Sequence, residues 1–479
     1  MEEIGEVIGQ QDGMTVRRTE IPGLLVLDLP VHGDERGWFK ENWHRAKMSA
    51  AGLPDFAPCQ QSISFNTSVG TTRGIHAEPW DKLISVGSGE FFGAWVDLRA
   101  GATFGQVFTC RVGPSRAVFA PRGVGNAFQT LVDGTVYCYL VNDHWRPDAA
   151  YSMLNLADPT VAINWPIPLD GAVVSPKDRT HPALGQVVPV PGRKTLVIGA
   201  NGQLGQALQG LMSADDDVEW VDVDTFDIAD PDLESARRWP EYQTIINAAA
   251  YTAVDAAETP EGRLTAWKVN AVGPAALARI AAHHHLTLVH VSTDYVFDGT
   301  SPHPYREDDL PCPLGVYGQT KAAADLAICA VPRHYLIRTS WVVGSGPNFM
   351  RTMATLATRG ISPQVVDDQI GRVTFADDLA CAIVHLLESQ APFGTYNVTG
   401  GGETMSWAGV ACQVYASLGV DPALVKPCST KEYQAGKPGP IAPRPANSTL
   451  DLSKIRAAGF VPPPLSERLE GYLASLAGG

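Results

Sequence analysis

The 479-residue sequence predicts a multidomain protein: an all-β domain of the jelly-roll type, then an α/β domain built on a doubly wound parallel sheet. Three observations predict it. Residues 1 to about 188 read as short aromatic or β-branched runs separated by Gly, Pro and Asp turns. A Pro-rich seam, Val187 to Gly192, then interrupts the pattern. Beyond it, apolar runs alternate with Ala-rich helical stretches, and a chain of this length exceeds one ordinary core.

In the first half, Val26 to Leu29, Phe91 to Val96, Arg116 to Phe119 and Thr135 to Val141 carry the strand signal, and only Arg45 to Ala51 reads as helix. The second half opens on Thr195 to Ile198, an apolar run that ends in Gly199, Gly202 and Gly205, with Ala207, Leu208 and Leu211 at helical spacing beyond. That is a strand, a tight turn and a helix N-terminus, where amide groups and the helix dipole hold a dinucleotide pyrophosphate. Val218 to Val221, Thr244 to Asn247, Thr287 to Ser292 and Tyr335 to Arg338 follow as strands, and Arg263 to His283 as a helix. His283-His284-His285 resembles a metal tract but falls at that helix's C-terminus, where such residues suit the dipole.

Composition narrows the partners. A net charge of −15 without a basic cluster disfavours nucleic acid and anionic membranes. No apolar run is long enough to span a bilayer, and the opening Met-Glu-Glu stretch lacks an apolar leader, so the reading is a cytoplasmic protein. The eight cysteines form no C-x-x-C pair, which points to reduced thiols rather than zinc or disulfides.

Four clusters carry candidate chemistry. Asp34 to Glu41 sets charges around an aromatic pair; Thr72 to His76 is followed by Lys82; Leu169 to Asp178 ends Ser-Pro-Lys-Asp. In the second half, Tyr317 and Lys321 stand one helical turn apart, downstream of a strand ending Ser292-Thr293-Asp294. A lysine beside a phenol lowers its pKa and can bind a cofactor ribose, making Tyr317 a proton donor near neutrality.

Across residues 20 to 185 the chain resembles the dTDP-4-dehydrorhamnose 3,5-epimerases, a metal-free cupin-like jelly-roll family: D-E-R-G-x-F-x-E at 34 to 41, R-G-x-H at 73 to 76, V-D-x-R at 96 to 99, T-F-G at 103 to 105 and I-x-W-P at 163 to 166. The resemblance implies His76 as general base, Asp178 as its orienter, Lys82 as enolate stabiliser and Tyr139 as the opposing acid. It puts Arg36, Phe39, Glu41, Gln60 and Arg73 at the nucleotide diphosphate end. The departures from the family include Gly93 where it carries Asp, Asn126 where it carries His, and Tyr139-Leu140 where it carries Tyr-Lys, with a later aromatic at Trp145.

Residues 194 to 475 resemble the dTDP-4-dehydrorhamnose reductases of the extended short-chain dehydrogenase/reductase family, through Asn247 to Glu258, Ser292 to Thr300, Val316 to Gly318, Arg338 to Val342 and Arg444 to Ser448. The resemblance implies a Rossmann sheet with a small C-terminal substrate-binding part, and hydride transfer from NADH or NADPH to a C4 ketone. Tyr317 would be the proton donor and Lys321 its modulator, with Thr293, Asp294 and Trp341 at the sugar. The cofactor falls to Gly199, Gly202, Gln203, Leu204, Gly205, Asp222, Asp227, Ala249, Ala250 and Tyr251, together with Tyr317 and Lys321. Asp222 suits a ribose 2′-hydroxyl, and no Lys or Arg occurs from Gly199 to Ala236, so NADH is acceptable and NADPH stays open. Ala207 replaces a glutamate that some members use for magnesium, and no metal is expected.

The domains expected are 1–188, a linker 189–193, and 194–479. The function expected is a bifunctional enzyme of dTDP-L-rhamnose synthesis, acting on a dTDP-4-keto-6-deoxy sugar and dimerising through its first half; C3, C5 or both stay open as the site of epimerisation. One alternative keeps only the reductase, with a non-catalytic binding or oligomerisation module before it. Another is a regulatory subunit, since the methionine adenosyltransferase beta subunit is similar to the second half.

Overall fold

The computed structural model describes residues 4–147, 149, 151–213, 217–436 and 438–477, which divide into two units, Met1–Gly192 and Arg193–Gly479. No helix among them is long and apolar enough to cross a membrane.

In the first unit, side-chain alternation decides the layers. Its elements are β1 (Glu6–Gln11), β2 (Met14–Arg18), β3 (Leu25–Asp28), β4 (His32–Asp34), β5 (Gly37–Phe39), α1 (Arg45–Ala50), β6 (Gln60–Asn66), β7 (Thr71–Ala77), β8 (Lys82–Ser88), β9 (Phe91–Asp97), β10 (Val107–Val112), β11 (Arg116–Ala120), β12 (Val124–Thr130), β13 (Thr135–Val141), β14 (Ser152–Met153), β15 (Val173–Val174) and α2 (Pro176–Arg179). One sheet runs β1-β2-β3-β11-β8-β13-β6; the other runs β10-β9-β12-β7-β14, with β15 added to β7. Every strand pair but β15–β7 is antiparallel. Val26, Ile84, Val86 and Val118 from the first sheet meet Phe91, Trp95, Val124 and Phe128 from the second in one buried cluster. Outside it, α1 covers Leu25, Leu27 and Phe119, while Leu154, Leu184 and Val190 cover Ile75 and Val96.

One detail differs from the sequence reading. Helix α2, capped by Ser175, is only four residues long, too short to leave a periodic signal. Val190, inside the expected linker, is buried in this unit and bridges Arg99.

The second unit contains β16 (Lys194–Ile198), α3 (Gln203–Met212), β17 (Val218–Val221), β18 (Tyr242–Asn247), α4 (Pro260–Trp267), α5 (Gly273–His283), β19 (Thr287–Thr293), α6 (Val316–Cys329) and β20 (His334–Thr339). A parallel sheet runs β17-β16-β18-β19-β20 and ends on the strand Gly394–Asn397. Alternate residues of each strand feed opposite cores: Leu196, Ile245, Leu288 and Leu336 face one way, Val197, Ile246, Val289 and Ile337 the other. A third cluster, including Met350, Val410 and Tyr415, makes a separate small core. The helix read as Arg263 to His283 is interrupted by a π turn at Lys268–Val272. Pro274 explains it, having no amide to donate and a ring that crowds the carbonyl four residues back.

Candidate active sites

In the first unit the site lies between the sheets. Ile75 and Ala77 of β7 join the outer cluster, which turns His76 to the opposite face. Arg73 pairs with Phe128 and His76 with Asn126, leaving two residues on β7, Gly74 and Ile75, against one on β12, Ala127, so this bulge brings Arg73 and His76 to one face. Gly74 allows it: its φ is +122°, and a Cβ there would sit 2.5 Å from that of Ala127. His76 Nε2 lies 3.2 Å from Asp178 Oδ1, and the Gly74 amide donates to Asp178 Oδ2 at 3.5 Å. Burial raises the Asp178 carboxyl, but the His76 hydrogen bond and charge and the Gly74 amide outweigh it and hold the group below its ordinary value.

From the facing sheet, β8 contributes Lys82, whose ammonium donates to Glu78 Oε1 at 2.7 Å and Asn126 Oδ1 at 2.9 Å and stands 4.9 Å from the Tyr139 ring centroid. Asn126 in turn donates to Tyr137 Oη at 3.2 Å. The departures at Gly93 and Asn126 therefore have a structural answer. The Trp95 ring covers Gly93, where a Cβ would meet it at 2.3 Å, and Glu78 supplies the carboxylate that position lacks. Sequence reasoning missed Glu78; a lysine without its expected counter-charge was the signal. It also missed His181, buried 3.7 Å from Asp178, whose imidazole is pushed down by burial and then by His76. His76, Asp178 and His181 bring three ligand atoms within 4.8 Å of one another.

The residues expected at the nucleotide end have local partners or are exposed. Arg36 pairs with Asp34, Phe39 is 67% exposed, and Glu41 accepts from Lys47 at 2.7 Å. Gln60 donates to Ser62 and Arg73 to Asn66, each at 3.1 Å. Lys40 turns inward instead, donating to the Val86 carbonyl at 2.9 Å, and burial, opposed by Cys138, lowers its ammonium to about 8.

In the second unit a cavity of about 1000 Å³ opens at the C-terminal ends of β16, β18, β19 and β20. Gly199, Gly202, Gln203, Leu204, Asp222, Asp227, Ala249, Ala250, Tyr251, Thr293, Asp294, Tyr317, Lys321 and Trp341 all line it; Gly205 does not. A Cβ at Gly199 would sit 2.7 Å from the Ala249 amide, and one at Gly205 2.2 Å from the Gly199 carbonyl. Helix α3 starts at Gly202 with no side-chain cap, which leaves its first-turn amides for an anion. A dinucleotide therefore fits. The Asp222 carboxylate already accepts the Asn201 and Val223 amides, each at 2.8 Å, and Asp227 accepts that of Ala229 at 2.9 Å.

The catalytic candidates meet here with one difference from expectation. Tyr317 is raised, not lowered: burial leads, the Asp294 carboxylate adds, and a Thr293 hydrogen bond only partly offsets them. Lys321 is held by β19, donating to the Val291 carbonyl at 2.6 Å with His290 Nε2 at 3.2 Å, and burial, against Asp325, lowers it to about 8. Thr293 donates to Asp294 Oδ1 at 3.0 Å, and burial pushes that carboxyl up to about 6 despite the Ser448 and Thr293 hydrogen bonds. Trp341, at φ +46°, stacks on Trp407 at 3.7 Å. The histidine tract closes α5, where His283 and His284 both approach Glu234, at 3.4 and 2.9 Å.

The two sites correspond to two families. The dTDP-4-dehydrorhamnose 3,5-epimerase model matches residues 18–186, and the RmlD substrate binding domain model matches residues 193–477. The "Protein RmlC homolog" of Streptococcus pyogenes serotype M6 is 48% identical over 178 residues, covering 36% of this chain and 89% of that protein. A dTDP-4-dehydrorhamnose reductase of Aggregatibacter actinomycetemcomitans is 36% identical over 285 residues, covering 56% and 94%. The crystal structure of the Bacillus anthracis dTDP-4-dehydrorhamnose reductase in complex with NADP is similar at 32% identity and a TM-score of 0.54, covering 59% of this chain and 99% of that one. The chain belongs to both families, a 3,5-epimerase domain followed by an NAD(P)H-dependent reductase domain in one polypeptide.

Proposed function

We propose that the protein converts dTDP-4-dehydro-6-deoxy-D-glucose to dTDP-L-rhamnose, with residues 1–188 epimerising, 189–193 linking and 194–479 reducing. The observation that supports this reading is that each unit brings its own titratable candidates together: His76 with Asp178 and Lys82 with Tyr139 in the first, and Tyr317, Lys321 and Thr293 around one cavity in the second. The two antiparallel sheets support a cupin-like jelly roll, and the parallel sheet with its glycine turn supports a Rossmann domain completed by a small substrate-binding core.

A C4 ketone acidifies the protons on C3 and C5. His76, held by Asp178, takes one; the Lys82 ammonium stabilises the enolate oxygen; Tyr139 returns a proton from the other face, inverting the carbon. In the reductase the dinucleotide supplies hydride, while Tyr317 protonates the oxygen at C4 and Thr293, Asp294 and Trp341 orient the sugar. Reduction withdraws the epimerised ketone from a reversible equilibrium, and fusion keeps both steps at one stoichiometry. We read the protein as a cytoplasmic homodimer without nucleic-acid or membrane partners. The exposed Ile63 and Phe65 on edge strand β6, 65% and 64% exposed, support a second copy there.

The test is solvent deuterium incorporation into the ketone, followed by NMR without NAD(P)H, in the natural protein and in His76→Ala. Label at C3 and C5 that vanishes in the variant supports the reading, and label at one carbon redefines the product. No exchange above the variant, with reduction of supplied epimerised ketone intact, leaves a reductase alone.

A further inference from the structure

Lys321 sits in a chain of hydrogen bonds that fixes its charge as well as its place. Asn247, at the end of β18, accepts the Ala249 amide on Oδ1 at 3.1 Å, so its Nδ2 is the atom that faces His290 Nδ1 at 3.0 Å. An amide nitrogen can only donate, so Nδ1 accepts. His290 is fully buried, and burial followed by the neighbouring Lys321 drives its imidazole well below the ordinary value; the ring is neutral and carries its one proton on Nε2. That N–H is directed at Lys321 Nζ, 3.2 Å away. An ammonium has no lone pair to receive it, whereas an amine has one and still donates to the Val291 carbonyl. The other charged or titratable groups around Lys321 do not resolve the conflict. Asp325, on the same helix, is bound through Oδ2 by Arg338 from β20 at 3.0 Å, and Asp294 and Tyr317 are each hydrogen-bonded to Thr293.

We infer that the Asn247–His290 pair holds Lys321 as a neutral amine and that Lys321 takes up one proton when a nicotinamide dinucleotide seats in the cavity, His290 acting as a positioning residue. This rests on the reductase reading. The arriving pyrophosphate favours a cation, and Nζ turned away from His290 toward the cavity escapes the donor conflict. The proton balance of the reduction then closes. Hydride leaves the dihydronicotinamide for the C4 carbonyl carbon, the C=O π bond breaks onto oxygen, that oxygen takes the Tyr317 proton, and Lys321 returns a proton to Tyr317 and reverts to the amine. Above the lysine's value of about 8, the proton consumed per turnover enters with the cofactor.

The experiment is NADH and NADPH binding to the full chain from about pH 6.5 to 9.5, with calorimetry near pH 9 in buffers of different protonation enthalpy to count protons. Uptake of about one proton is expected, with Kd rising about tenfold per pH unit above the lysine's value of about 8. Asn247→Asp offers Nδ1 an acceptor, reverses the tautomer and lets Lys321 stay charged, so uptake should fall toward zero. In a His290→Gln background the same change should alter nothing, whereas a simple charge effect would persist there. Binding without proton uptake in the natural protein, or an Asn247→Asp effect independent of His290, overturns the inference and spares the reductase. Absence of binding at every pH overturns both.

Discussion

The two sites handle charge in opposite ways. In the β unit each candidate catalytic group has a carboxylate at bonding distance: Asp178 beside His76, Glu78 beside Lys82. In the α/β unit Lys321 is 1% exposed and bonds a carbonyl and an imidazole, while Asp294 is buried against hydroxyls. A carboxylate partner fixes where each group sits, which suits a base and an enolate-stabilising cation that act on a bound sugar. Unpaired buried groups sit near their switching point, Lys321 at about 8 and Asp294 at about 6, which suits a step timed by the arrival of a charged ligand.

The largest expected effects break the comparison cleanly. His76→Ala should lower deuterium exchange by about 10³-fold and leave reduction of supplied epimerised ketone unchanged, and Tyr317→Phe should do the reverse by a similar factor. A variant that depressed both activities would show that the two sites are not independent. Next, Glu78→Gln removes the charge from the Lys82 pair while keeping an acceptor. Epimerisation should fall about 30-fold, the worth of one charge-assisted bond, with the loss in kcat rather than KM. An unchanged rate would leave Asn126 alone as the partner that matters.

A buried unpaired carboxylate should also cost stability. Asp294 titrates at about 6 when folded against an ordinary 3.8, so the folded chain holds that proton more tightly than the unfolded chain does. The penalty is absent below the unfolded value, grows as pH rises from about 4 to 6, and is complete above it. Asp294→Asn should therefore stabilise the second unit by up to about 3 kcal/mol near pH 7 and by nothing near pH 4, read from the reductase-unit transition in thermal melts at both pH values. A gain equal at both pH values would trace to packing instead.

Strands and glycine turns were legible because they obey local rules: alternation, helical spacing, and a backbone that excludes Cβ at Gly199 and Gly205. The motif R-G-x-H was legible as a string, but its reason is a bulge against β12, and a bulge depends on the partner strand. Glu78 and His290 were invisible for the same cause. One reads as a turn residue between two strands, the other as an interruption in the apolar run Leu288 to Val291, and only the fold shows what each touches. The expectation that Lys321 would lower Tyr317 came from helical spacing alone, and spacing does not report that β19 holds the lysine nitrogen.

The smallest expected effect lies at the cavity's mouth, where charge is partly solvated. Asp222 spends its carboxylate on two backbone amides yet keeps lone pairs for ribose hydroxyls, so it can serve the turn and the cofactor together. Asp222→Asn retains an acceptor and removes the negative charge that would face a 2′-phosphate. Solvent screening limits that repulsion to about 1 kcal/mol, so NADPH affinity should improve by about fivefold while NADH affinity stays within about twofold. Equal weakening of both dinucleotides, measured by fluorescence titration, would mean that Asp222 acts through the Asn201 and Val223 amides alone. A change as large as those expected at His76 or Tyr317 would mean that this carboxylate, too, works in a site drained of water, and the contrast between paired, buried and solvated charge would have to be redrawn around it.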